Sequence, residues 1–133
     1  MKKRWGLRSK LWLEFEGVPV IGDGRMKMLR SIHSGGSIKR AAVETGISYR
    51  RMRGAIHEME NTIGYPLVKI QRGGGAGGGA ELTPAALALM DTYKKLSAGF
   101  QQDADARFDA VRDFFVSANG NIRHSVDLGD DTP

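Results

Sequence analysis

Tyr49, Arg50, Arg51 and Arg53 put a phenol and three guanidinium groups within one short stretch of chain. A guanidinium is always charged, and its rigid fork of N–H donors meets two acceptors at once. It therefore pairs with phosphate oxygens or, bidentately, with the O6 and N7 edge of guanine. The chemistry available is recognition of a double helix. For each arginine a base contact and a phosphate contact remain equally open. No comparable set exists for catalysis. His33, His57 and His124 are scattered, neither H-E-x-x-H nor G-x-S-x-G occurs, and no carboxylate pair stands in an apolar setting. No catalytic residue, metal site or cofactor is expected, and His57 reads as a surface residue or a DNA contact.

To aim that cluster the chain needs two short helices joined by a tight turn, and Gly36 to Ile56 has that spacing. A side-chain oxygen just before a helix accepts from a backbone N–H that has no partner inside it, which marks Ser37 and Ser48 as the two starts. Gly46 tolerates the positive φ of a helix end and stops the first helix. Ala41, Ala42, Thr45, Ile47, Met52, Ala55 and Ile56 let the helices approach, leaving Tyr49, Arg50, Arg51 and Arg53 outside. The pattern is that of a helix-turn-helix, with Ser37, Lys39, Ser48, Tyr49, Arg50, Arg51 and Arg53 as expected DNA contacts. An ordinary helix pair with a solvated arginine face carries the same short pattern.

Charge points to the same partner as the motif, although a charge run by itself is usually a solvated face. Residues 22–53 hold eight Lys/Arg against two Asp/Glu, a net of +6, whereas residues 100–133 hold three against seven, a net of −4. A basic segment that coincides with the motif is what neutralising phosphates requires, since each such contact releases condensed counterions. The 133 residues suffice for one modest core and not for a second ligand-binding domain. The absence of cysteine excludes disulfides and thiolate metal sites and fits a cytoplasmic location. Lys2, Lys3 and Arg4 imitate the start of an export signal, but Arg8, Lys10 and Glu14 break up the apolar run such a signal needs next. No apolar run approaches the roughly 18 residues of a membrane span, so no membrane partner is expected.

The flanking elements are set by period and punctuation. Residues 10–16 alternate with Leu11, Leu13 and Phe15 on one face, and Val18 to Ile21 extends or pairs with them. Met26, Met28, Leu29 and Ile32 recur at helical spacing from Asp23 or Gly24 to Ser34. The recognition helix runs on through Ala55, Ile56, Met59 and Ile63 to Gly64. Tyr65 to Ile70, a glycine-rich stretch and Ala80 to Thr83 then have the order of a two-stranded wing, with Lys69 and Arg72 near its tip as backbone contacts. Gly73, Gly75 and Gly78 formally match G-x-G-x-x-G, but no helix of a βαβ unit comes after them, so the tract reads as a tip that either approaches an anion or is merely pliable. Thr83-Pro84 is a strong helix start. Leu89, Tyr93, Leu96, Phe100, Phe108, Val111 and Phe115 then form an apolar stripe on a helix that would run about 50 Å at a rise of about 1.5 Å per residue. Such a stripe is expected to pair two subunits. Folding back on its own chain, or bending at Gly99, is the alternative.

These residues resemble the N-terminal domain of molybdate-responsive transcriptional regulators of the ModE type, relatives of the LysR-type winged helices. The likeness runs from about Leu13 to Phe115. It is carried by Asp23-Gly24-Arg25, Gly36-Ser37-Ile38, Ala41-Ala42, Gly46 to Arg51, Glu58-Met59-Glu60, Pro66-Leu67-Val68, and Arg72 with the glycine-rich tip leading to Leu82-Thr83. The resemblance implies that the second helix of the motif reads bases, that the wing touches the backbone and that the long helix pairs subunits. Family members usually carry tryptophan where this chain has Arg53, and add C-terminal domains that bind molybdate or tungstate, which this chain is expected to lack. The expected fold is mainly α with a small β component: a winged helix-turn-helix over residues 1–83, a dimerisation helix over 84–116 and a flexible tail over 117–133. The expected function is a homodimeric DNA-binding regulator of molybdate- or tungstate-related genes. The second reading is an interaction protein that forms a heterodimer with a full-length regulator and modulates it.

Overall fold

A computed structural model of the protein describes residues 4–71 and 78–117. The chain divides into two units, residues 10–97 and residues 1–9 with 98–133.

The larger unit opens with an antiparallel hairpin, β1 (Trp12–Phe15) and β2 (Val18–Gly22). Its two turn residues, Glu16 and Gly17, both have positive φ, 49° and 80°, as the twist of a two-residue hairpin demands. The register shifts between Leu13, opposite Ile21, and Glu14, opposite Pro19. Leu13 packs against the core as its spacing predicts, but Phe15 is 49% exposed. The register shift and the reach of the hairpin tip leave Phe15 beyond the part of the inward face that the helices cover.

Three helices come next: α1 (Asp23–Gly35), α2 (Ile38–Thr45) and α3 (Tyr49–Ile63). Ser37 and Ser48 cap α2 and α3, accepting from Arg40 N at 3.0 Å and Arg51 N at 3.1 Å. Gly36, Gly46 and Gly64 end the three helices in the left-handed conformation, where a side chain would clash with the backbone. The buried Ser31 hydroxyl donates to Glu44 Oε1 at 2.7 Å and ties α1 to α2. Leu29 and Ile32 of α1, Ala41 of α2 and Met52, Ile56 and Met59 of α3 meet in one core. Methionine is prominent there, since Met26, Met28, Met52, Met59 and Met90 are all buried.

The wing is the hairpin β3 (Val68–Gln71) and β4 (Gly79–Leu82), in a register that sets Val68 opposite Leu82 and Gln71 opposite Gly79. It is fastened to the turn between α1 and α2, where Ala80 N donates to Gly36 O at 2.8 Å. Gly79 lies so close to that turn that a Cβ on it would stand 2.9 Å from the same carbonyl oxygen.

The last helix, α4 (Pro84–Ser117), starts as Thr83-Pro84 predicts, with Thr83 Oγ1 accepting from Ala86 N at 3.2 Å and donating to Pro66 O at 2.9 Å. Its first turns belong to the larger unit, which therefore continues past residue 83: Ala86, Met90 and Tyr93 are core residues. The Tyr93 hydroxyl lies 2.6 Å from Asp23 Oδ1 and 3.0 Å from Leu11 O, two acceptors that share its one proton. Burial first, and then the Asp23 carboxylate, push its pKa up to about 12.

In the smaller unit, Trp5 packs on Phe115 with ring centroids 4.8 Å apart. Phe115 also meets Phe108 at 5.6 Å and Phe114 edge-on at 5.2 Å, and the Arg112 guanidinium lies 5.1 Å from the Phe108 ring centre. The pairs Arg107–Asp103 and Arg112–Asp109, at 3.0 and 2.7 Å, are exposed neighbours on the helix surface. Such pairs contribute only about 0.3–0.5 kcal/mol each.

Candidate nucleic-acid interface

The first turns of α3 present Tyr49, Arg50, Arg51 and Arg53 to solvent. With Met52, Ile56 and Met59 buried, helical phase turns Arg50, Arg51 and Arg53 away from the core, whereas Tyr49, one turn before Met52, is exposed at the open N-terminal end of the helix. Tyr49 OH accepts from Arg53 Nη1 at 3.2 Å, so the phenol and the guanidinium one turn later stand together on one face. Arg50, Arg51, Lys39 and Lys69 are exposed and form no ion pair with any described carboxylate. Arg25 is committed differently: it donates to Val20 O at 2.9 Å and pairs with Glu58.

Between the starts of α2 and α3 and the wing lies an open cleft of about 560 Å³, whose lining includes Ser37, Lys39, Tyr49, Ile70, Gln71 and Gly79. It brings together three of the residues expected from sequence and adds Ile70 and Gln71, which were not expected. Lys69 is exposed on β3, opposite Glu81, and does not line the cleft. Alternation along the strand accounts for Ile70, which faces away from Lys69, but not for Gln71, which shares the parity of Lys69 and reaches the cleft from the end of β3. Arg72 and the formal glycine motif, apart from Gly78, lie outside the described residues. So does the expected flexible tail from residue 118 onward.

Ser37 and Ser48 are exposed or half-exposed, and each uses a lone pair in its cap while its O–H proton stays available as a donor. Along the expected pairing stripe the residues divide. Tyr93 is 2% exposed and belongs to the core of its own chain, so it is withdrawn from a pairing surface. Helical period reports that a side is apolar and not what covers it. Leu89 is half-buried against that core, and Phe108 and Phe115 are half-buried in the aromatic cluster. Leu96, Phe100 and Val111 are exposed, Phe100 by 55%. Trp5 and Phe114 join the aromatic group without having been singled out by period.

Among the described residues no three His, Cys, Asp or Glu side chains are grouped to hold a metal ion. No described helix is long and apolar enough to cross a membrane.

A family model described as bacterial regulatory helix-turn-helix protein, lysR family, matches residues 24–87. Over 79 residues the chain is 40% identical to the molybdenum-pterin-binding protein MopB of Rhodobacter capsulatus, covering 59% of this chain and 29% of that one. Over 89 residues it is 39% identical to the DNA-binding transcriptional dual regulator ModE of Escherichia coli K12, covering 67% of this chain and 32% of that one. The chain thus spans about a third of the length of these curated relatives. The fold is also that of the CbnR DNA-binding domain in its crystal structure with DNA, at a TM-score of 0.51 and 19% identity over 66% of this chain and 95% of that one. The family matched is one of regulators and not of enzymes. Residues 24–87 are therefore a helix-turn-helix of the lysR family, which in this chain carries the two-stranded wing β3–β4.

Proposed function

We propose that the protein is a DNA-binding transcriptional regulator whose α3 enters the major groove and whose wing lies on the adjacent phosphates. The observation that carries this reading is the exposed set Tyr49, Arg50, Arg51 and Arg53 at the start of a helix whose opposite side is core. Around it, Lys39 and Lys69 add positive charge that no described carboxylate neutralises, and the cleft beside Tyr49 offers room for a backbone strand. Arg50 and Arg51 supply the base and phosphate contacts, Arg53 is steadied by Tyr49, and Ser37 and Ser48 donate their free hydroxyl protons to phosphate. The names of its relatives, a ModE regulator and a molybdenum-pterin-binding protein, support genes of molybdate or tungstate use as the targets.

The test is fluorescence anisotropy with a fragment from upstream of the protein's own gene against a scrambled duplex over a salt series. Preference for the native fragment, with affinity falling steeply in salt, is the expected result. Arg50→Ala with Arg51→Ala should weaken binding several-fold or more, and unchanged affinity in that variant would remove the site assignment.

The exposed Leu96, Phe100 and Val111 on α4 favour a paired protein, which we take to be a homodimer. A heterodimer with a full-length regulator is the second arrangement that this face would serve. Native mass spectrometry of a mixture with that regulator distinguishes the two by the masses of the species formed.

A further inference from the structure

Glu60 sits on α3 but does not belong to its exposed arginine face. Its Oε2 accepts from Leu67 N at 2.8 Å and from Val68 N at 3.2 Å, the two peptide N–H groups where the chain enters the wing. Its other oxygen is 4.0 Å from His57 Nδ1, and the side chain is only 20% exposed. A carboxylate that accepts two N–H bonds at a half-buried position makes charge-assisted contacts, stronger than those between neutral groups. The opposite side of the same peptide segment is held by Thr83, whose N donates to Leu67 O at 2.9 Å and whose Oγ1 donates to Pro66 O at 2.9 Å. The Leu67 side chain between them is fully buried.

Pro66 to Val68 is thus gripped from α3 on one side and from the start of α4 on the other. Because β3 continues directly from this segment, fixing the Val68 peptide and its register against β4 also fixes how Ile70 and Gln71 are presented to the cleft. We propose that Glu60 is a positioning residue that sets the wing against the recognition helix, so that it governs the wing's share of duplex binding without touching DNA. This rests on the DNA-binding reading above.

The experiment is a double-mutant cycle on the full chain, read by anisotropy with a labelled mixed-sequence duplex over a salt series. The wing variant, Lys69→Ala with Gln71→Ala, should weaken binding several-fold in the parent and flatten the slope of log affinity on log salt by about 1. Glu60→Ala alone should cost nearly as much, and adding the wing variant to it should cost nothing further. Arg50→Ala should keep its full cost in both backgrounds, which a general loss of folding would not allow. An additive cycle, or a wing variant without effect in the parent, overturns the proposal. If Glu60→Ala does not fold, amide exchange in Glu60→Gln decides: Leu67 and Val68 should exchange about tenfold faster while Met59 in the core is unchanged, since a neutral amide accepts more weakly than a carboxylate. Unchanged exchange at Leu67 and Val68 overturns it. A parent that binds no duplex would remove the DNA-binding reading, and the exchange result would still judge the strut itself.

Discussion

Replacing Gly79 with alanine would place a Cβ 2.9 Å from Gly36 O, about half an ångström inside ordinary contact, which begins at 3.4 Å. The atom it meets is a backbone oxygen in a tight turn and cannot rotate away. That oxygen already accepts from Ala80 N at 2.8 Å, so relieving the clash by moving β4 outward stretches this bond beyond the usual limit of about 3.2 Å. Losing the bond costs about 1 kcal/mol, and residual overpacking adds about as much again, giving a loss of about 1–3 kcal/mol. For a body the size of residues 10–97 that corresponds to a fall in Tm of roughly 5–15 °C. Gly99→Ala is the internal control. Its Cβ would meet nothing within 4 Å on the exposed surface of α4, so the same substitution should stabilise by about 0.5–1 kcal/mol. Thermal and urea denaturation of the two variants beside the parent provide the comparison. A Gly79→Ala protein that melts with the parent would refute the claim that the wing is fastened to the α1–α2 turn at close range.

Tyr93→Phe removes the hydroxyl shared by Asp23 and Leu11 O and should cost about 1–3 kcal/mol in urea titrations near neutral pH. The folded phenol ionises near pH 12 against 10 when unfolded. Its contribution is therefore full below pH 10 and is lost as the pH rises from 10 through about 12, so parent and variant should converge over that window. Ser48→Ala deletes the acceptor for Arg51 N and should destabilise by about 0.5–2 kcal/mol, with amide exchange at Arg51 rising first. Phe100→Asp with Val111→Asp places charge on the exposed apolar side of α4. Sedimentation should shift toward the monomer with little change in Tm, and an unaltered sedimentation coefficient would contradict pairing through this face.

The ends of the helices were legible because their signals are local. Ser37, Ser48 and Thr83 act on N–H groups three residues away, and Gly46 and Gly64 are needed for their own φ angles. The arginine face was legible for a related reason, since burying Met52, Ile56 and Met59 fixes where Arg50, Arg51 and Arg53 point. What the sequence concealed depends on partners distant along the chain. Tyr93 has the spacing of a surface stripe, and only the arrival of Leu11 and Asp23, 82 and 70 residues away, turns it into core. Phe15 alternates correctly but lies where no helix covers it. Charge drew attention to Lys69, whereas the cleft is lined by Ile70 and Gln71, one and two residues further on. Glu60 looks like one more acidic residue on a helix until the chain beyond Gly64 folds back to meet it.

The methionines beneath α3 bear on how this helix would accommodate a groove. Met52 and Met59 flank Ile56 on its buried side, and Met26, Met28 and Met90 complete a core rich in thioethers. An unbranched side chain with three rotatable bonds can change rotamer and refill space where a β-branched one would be forced off its minimum. A helix seated on such a bed can roll or slide by fractions of an ångström at small cost, while its caps and the wing strut hold its ends. On the DNA-binding reading proposed above, the surface of α3 would thereby adjust to small differences in groove width from one binding sequence to another, and the adjustment would be made inside the protein.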